Sequence, residues 1–256
     1  MTAPYAVTSP LLKDIKAQAA DAVCEVAPMN NSTNLIVNST APPFDNVDVH
    51  PLLLRAAGWL ERFDVQFEWQ NTASKLTSFE QFLTTLTARK RKQIRKERSR
   101  VQQQGLQLRT LTGDELDAAF WQQFYQFYVA TYLKRSGHQG YLTQQTFLLW
   151  GRTMAAQIVV FSAWQDDAMV AASLCFRSKD KLYGRYWGCS EAYSMLHFEC
   201  CYYAGIDYCI AQGLTAFDAG AQGEHKLQRG FVPVIRSGFY RFLPPTSAST
   251  AATSDL

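Results

Sequence analysis

The stretch from Ile158 to Cys189 limits the fold most. IVVFSAWQ (158 to 165), AMVAASLCFRS (168 to 178) and KLYGRYWGC (181 to 189) are strand-like runs rich in β-branched and aromatic residues. Only Asp166-Asp167 and Lys179-Asp180 link them, short enough for hairpins, so the three form an antiparallel meander. A helical stretch from about Ser194 to Gln212, closed by Gly213, leads into another strand, LTAFDAG (214 to 220). With helices between its remaining strands, the chain reads as an α/β protein built on a mixed sheet.

The flanking segments complete the order. Ser78 is a plausible N-cap for a helix carrying Phe79, Phe82, Leu83 and Leu86. A second helical stretch runs to about Gln104 and ends at Gly105, before a strand at LQLRTL (106 to 111). Asp114 is positioned to cap a long helix bearing Leu116, Phe120, Phe124, Phe127, Tyr128 and Tyr132, and Thr143 to cap the next. GEHKLQRG (223 to 230) allows one or two helical turns, and RSGFYRF (236 to 242) is a last strand. The order from Leu106 is β–α–α–β–β–β–α–β–α–β. Upstream, NLIVN (34 to 38) and VQFEW (65 to 69) read as strands and HPLLLRAAGWLERF (50 to 63) as a short helix, too little to bury a core alone. The expected organisation is a partial N-terminal half over residues 1–75, a full domain over 76–243 and a disordered Ser/Thr/Ala-rich tail over 244–256.

Composition narrows the class. Hydrophobic residues make up 47% of the 256, enough for a well-filled core. No apolar run reaches the about 18 residues a membrane helix needs, and the first 30 residues show no basic start followed by an apolar block. The 6 cysteines form no CxxC and no zinc-like spacing with histidine, so they read as reduced core thiols of a cytoplasmic protein with no metal site. Net charge is +3, yet RKRKQIRKERSR (89 to 100) holds eight basic residues and one acid, leaving the rest at −4. Arg89, Lys90, Arg91, Lys92, Arg95 and Lys96 are therefore candidates for contact with tRNA or another polyanion. The competing reading is a surface helix paired with acids elsewhere, such as those at 114 to 117.

Three segments carry a resemblance: YGRYWGC (183 to 189), LHFECCYYAGIDYCI (196 to 210) and GAQGEHKLQRGF (220 to 231). GWLERFDVQFEWQN (58 to 71) and RKRKQIRKER (89 to 98) extend it over roughly residues 5 to 242. The chain resembles a bacterial family of N-acyltransferases of the GNAT superfamily, grouped with the Fem-type peptidoglycan aminoacyltransferases. The resemblance implies one complete C-terminal GNAT-like domain and the remnant of a first, because members are usually longer at the N-terminus. It also implies transfer of an acyl or aminoacyl group, in peptidoglycan biosynthesis, to the amine of a small molecule or peptide. The donor would be acyl-CoA or aminoacyl-tRNA, a co-substrate and not a permanently bound cofactor. One departure is Glu68, where the family more often carries His. The Arg/Gln-x-x-Gly-x-Gly/Ala phosphate loop of acetyl-CoA-dependent members is missing; CSEAYSMLHFE (189 to 199) stands in its place. Both donors stay open. So do a tRNA- or polyanion-binding protein with a degenerate GNAT fold and an inactive fragment.

Acyl transfer needs a base for the amine, stabilisation of the carbonyl oxygen and a hold on the donor. In the GNAT fold the donor lies where two central parallel strands splay, here between KLYGRYWGC and LTAFDAG. Glu224 and His225, just past the second strand, are candidate bases, and the alternative is a solvated helix start. His197 and Glu199, which open the preceding helix, are further catalytic candidates; two positions apart they face different sides, so one of them would meet the cleft, and an acid there also suits the helix dipole. Gly220 and Gly223 would let backbone approach a ligand, while Lys226 and Arg229 would neutralise an oxyanion or phosphate. Arg185, with Tyr186 beside it, would meet a phosphate or carboxylate, or else pair structurally with Asp218.

Overall fold

A computed structural model describes residues 34–37, 51–71 and 76–242 of the chain. In chain order the elements are β1 (Asn34–Val37), α1 (Pro51–Ala56), β2 (Leu60–Gln70), α2 (Phe79–Thr84), α3 (Ala88–Gln102), β3 (Gln107–Thr112), α4 (Ala118–Ser136) and α5 (Gln144–Thr153). The meander follows as β4 (Ile158–Gln165), β5 (Ala168–Arg177) and β6 (Lys181–Cys189). A continuous helical run, α6, joins Leu196–Phe198, a π-helical turn Glu199–Tyr203, and Ala204–Ala211. Then come β7 (Ala216–Asp218), a 3₁₀ segment Glu224–Arg229 and β8 (Val232–Phe242).

The chain divides into two compact units, residues 1–65 with 235–256, and residues 66–234. In the first, β1 pairs antiparallel with the end of β8, Val37 opposite Phe239. The second holds six sheet strands in the order β2-β7-β6-β5-β4-β3. Only β6 and β7 pair in parallel; the other neighbours in that series are antiparallel. This is a mixed sheet, and its element order from β3 onward is the one read from the sequence.

β4 and β5 are buried along most of their length because both faces of the sheet are covered. On one face, Phe120, Phe124, Phe127 and Tyr128 of α4 and Phe147 of α5 pack against Ile158, Val160 and Leu174. On the other, Phe161 meets Tyr208 of α6 edge to face, centroids 5.8 Å apart. Such doubly covered strands read as near-continuous apolar runs. Gly188 of β6 sits where an added Cβ would come within 2.5 Å of the backbone of Phe127, so α4 approaches the sheet only because that position lacks a side chain.

Local boundaries differ from expectation in three places. The helix expected over residues 50 to 63 stops early. Gly58 takes φ +78°, and its N–H and that of Trp59 cap the carbonyls of Arg55 and Leu54 at 3.0 Å, freeing Leu60 to begin a longer strand. The cap of α4 is Asp117, whose Oδ1 accepts from Phe120 N at 2.7 Å, and not Asp114, which lies in a 3₁₀ turn. The last strand starts at Val232, before the expected Arg236. Ser78 does cap α2, accepting from Gln81 N at 3.2 Å. The tail expected to be disordered and Cys24 fall outside the described residues. Cys175, Cys200 and Cys209 are free and buried, with burial pushing all three thiols up.

Candidate active site

β6 and β7 pair over only three residues, ending at Tyr183 opposite Asp218. β6 runs on to Cys189 while β7 stops, so the two strands part beyond that point. The first turns of α6 and the loop from Ala219 to Gly223 line the gap. Asp218, fully buried, anchors the loop: its Oδ1 accepts from Gly220 N at 2.8 Å, and the Gln66 amide reaches its Oδ2 at 2.7 Å.

The gap gathers two of the predicted catalytic groups. The rings of His197 and His225 lie 6.4 Å apart, with Tyr202 against both at 5.5 and 5.7 Å. His225 is exposed, and its Nε2 is 2.9 Å from the Tyr202 hydroxyl. Burial first, then the charges of Arg229 and Lys226, lower the His225 pKa. His197 is boxed in by Trp187 and Phe198 as well, and burial with the neighbouring His225 pulls it down to about 4. Both shifts favour the neutral imidazole, the state a general base requires. Glu224 opens the 3₁₀ segment beside them, half-buried.

Lys226 and Arg229 lie beneath these rings, 4% and 3% exposed. Lys226 Nζ donates to the carbonyls of Ala219 and Gly220 at 2.5 and 3.0 Å, and burial lowers its pKa to about 8. Arg229 stacks 3.5 Å over Phe198, donates to His225 O at 2.8 Å and forms an ion pair with buried Glu97 at 2.8 Å. Tyr203 also donates to Glu97. Of the two cations predicted to meet an oxyanion or phosphate, Lys226 thus spends its bonds on the loop and Arg229 spends its own on His225 O and Glu97 of α3, and both bias His225 toward its neutral form. Gly220 and Gly223 both hold positive φ, and an added Cβ at Gly223 would sit 2.4 Å from the His225 ring. Their conformations shape the loop around the imidazole.

Other predicted residues sit elsewhere. Glu199 faces away from His197, as their spacing requires, but it is no open carboxylate. It is buried and paired with Arg98 at 2.9 Å, and Arg98 also holds Asp207 at 2.8 Å. Tyr186 packs into the α4–α5 aromatic core, 5.3 Å from Tyr128 and stacked on Trp150. Arg185 lies 5.9 Å from the Tyr183 ring. Glu68 is buried on β2 and pairs with Lys181. The basic helix α3 is split by its own periodicity. Ile94, Glu97 and Val101 are buried, while Lys90 reaches Leu227 O at 2.8 Å and Arg91 reaches Leu86 O at 2.6 Å. Among the described side chains the acids that answer the ridge are Glu80, Glu199 and Asp207; that of Asp114 lies outside them. Arg89, Lys92, Lys96 and Arg100 stay exposed, and at 100° per residue they fall on one stripe.

Tyr202, Trp187 and Phe198 escaped the sequence reading. Tyr202 is five residues beyond His197, which on a regular α-helix is another face. The π turn, closed by Ala204 N–H to Glu199 O, brings residues five apart together.

A family model described as peptidoglycan biosynthesis/recognition, the FemAB-like family, matches residues 14–252. The chain belongs to the FemAB-like family. No curated protein matches it. Among solved structures, FemX superposes with a TM-score of 0.52 at 12% identity, over 91% of this chain and 76% of FemX. L-PGS from Bacillus licheniformis superposes with a TM-score of 0.51 at 13% identity, over 77% of this chain. The chain spans 66% of the length of that L-PGS structure. At such identities the likeness is one of fold. Among the described residues no helix is long and apolar enough to cross a membrane, and no group of three or more His, Cys, Asp or Glu could hold a metal ion.

Proposed function

We propose that the chain is a Fem-type N-acyltransferase in which His225 is the general base. The observation carrying this reading is the pair of imidazoles at the parting of β6 and β7, one half-buried and one exposed, both shifted toward the neutral form beside buried Lys226 and Arg229. With Nε2–H donating to the Tyr202 oxygen, Nδ1 of His225 keeps its lone pair and takes the proton of the attacking amine. The amine adds to the donor carbonyl, and the tetrahedral intermediate expels a thiolate or ribose alkoxide, which is then protonated. No covalent enzyme intermediate is needed. The acceptor is an amine of a peptidoglycan precursor, following the family, and the reaction runs in the cytoplasm.

The exposed stripe of Arg89, Lys92, Lys96 and Arg100 favours an aminoacyl-tRNA donor over acyl-CoA, because a polyanion rewards a row of cations. An isotope-transfer assay offering acyl-CoA and aminoacyl-tRNA to amine acceptors tests both points. His225→Asn is expected to lower kcat about a hundredfold with the fold intact by circular dichroism. Full activity in His225→Asn sinks the assignment of the base, and transfer from acyl-CoA alone sinks the donor.

A further inference from the structure

Away from the parted strands, a groove of about 720 Å³ lies between one face of β3 and α6, within the usual size of a small-molecule site. Leu108, Thr110 and Thr112, alternate residues of β3, form one side, and Asp207, Tyr208 and Ala211 of α6 face them. Arg98 and Arg177 both line it. Arg98 is committed to Glu199 and Asp207. Arg177 is not committed in that way: among the described residues no carboxylate lies within ion-pair distance of it. Its Nη1 donates to the Tyr208 hydroxyl at 2.8 Å, which leaves Nη2 and Nε for another acceptor. Because the Tyr208 oxygen accepts that bond, its own proton is available to donate as well.

We infer that this groove binds a small organic carboxylate, headgroup on Arg177 and Tyr208 and apolar body along Leu108 and Ala156. A guanidinium edge matches a carboxylate with two parallel hydrogen bonds, and the Tyr208 hydroxyl supplies a further donor. Thr110 adds a hydroxyl on the same wall. The nearby carboxylates do not oppose the ligand strongly, since both are turned onto Arg98. Leu108 is 42% exposed, an apolar side chain on a strand otherwise facing water, and an apolar tail would cover it. The site is independent of the proposed acyl transfer, whose base lies at the parted strands.

Calorimetric titration of the full chain with acetate, hexanoate and inorganic phosphate tests it. Hexanoate is expected to bind one to one, and burying two of its methylenes makes it about tenfold tighter than acetate. Arg177→Gln is expected to weaken hexanoate by about tenfold, the worth of a charge-assisted pair. Should that variant fail to fold, Leu108→Asp, on the exposed side, is expected to remove the advantage of hexanoate over acetate. Absence of saturable hexanoate binding, phosphate binding as tightly as hexanoate, or unchanged hexanoate affinity in Arg177→Gln or Leu108→Asp would each overturn the assignment.

Discussion

His197 and Arg229 show how burial sets the chemistry of single residues. The His197 imidazole titrates near 6.5 when unfolded and near 4 when folded. As pH falls through that window the unfolded chain takes up the proton first, so stability present above 6.5 is lost toward 4. Against His197→Phe, urea melts should show the wild type losing up to about 3 kcal/mol more between pH 7 and pH 4. Arg229 and Glu97 form a buried pair with Tyr203 as a third member. Arg229→Ala strands the Glu97 carboxylate, and chemical denaturation should register a loss of about 3–5 kcal/mol. The same change removes a cation that holds the His225 pKa down. The acidic limb of a pH–rate profile is therefore expected to move to higher pH in a milder variant, Arg229→Gln.

Among the elements, α3 and α6 carry two tasks each. One side of α3 is structural, through Ile94, Glu97 and Val101, and the opposite stripe is basic and exposed. Lys92→Glu with Lys96→Glu should leave the melting temperature nearly unchanged, since surface charges contribute little. The pair is expected to weaken tRNA binding and to flatten its salt dependence in filter-binding titrations at two ionic strengths. In α6 the π turn sends Glu199 to Arg98 while Tyr202 reaches His225 and Tyr203 reaches Glu97. A regular helix over the same residues would face them differently. That explains why the helix itself was legible and the partners of its side chains were not.

At the scale of the molecule, stability concentrates where the sheet is covered on both faces. Amides of β4 and β5 are expected to exchange last in native-state hydrogen exchange, and those on the outer edge of β3 among the first. The central strands were readable because meander, hairpins and caps are local: apolar runs, two-residue links and Ser78 act over a few positions. The site was readable in part, since the loop after β7 announces itself by glycine and charge close together. What joins the site is not local. Arg98 meets Glu199 across 101 positions, Tyr203 meets Glu97 across 106, and Arg229 meets Glu97 across 132. By itself the sequence determined the elements, their order, the mixed sheet and the concentration of charge in α3 and the 223–230 segment. Only the tertiary structure decided which charges are spent inside, Lys226, Arg229, Glu199 and Arg98, and which groups stay available, His225 and Arg177. The reason is that desolvation and pairing depend on what packs over a side chain, and here that comes from segments far apart in the chain.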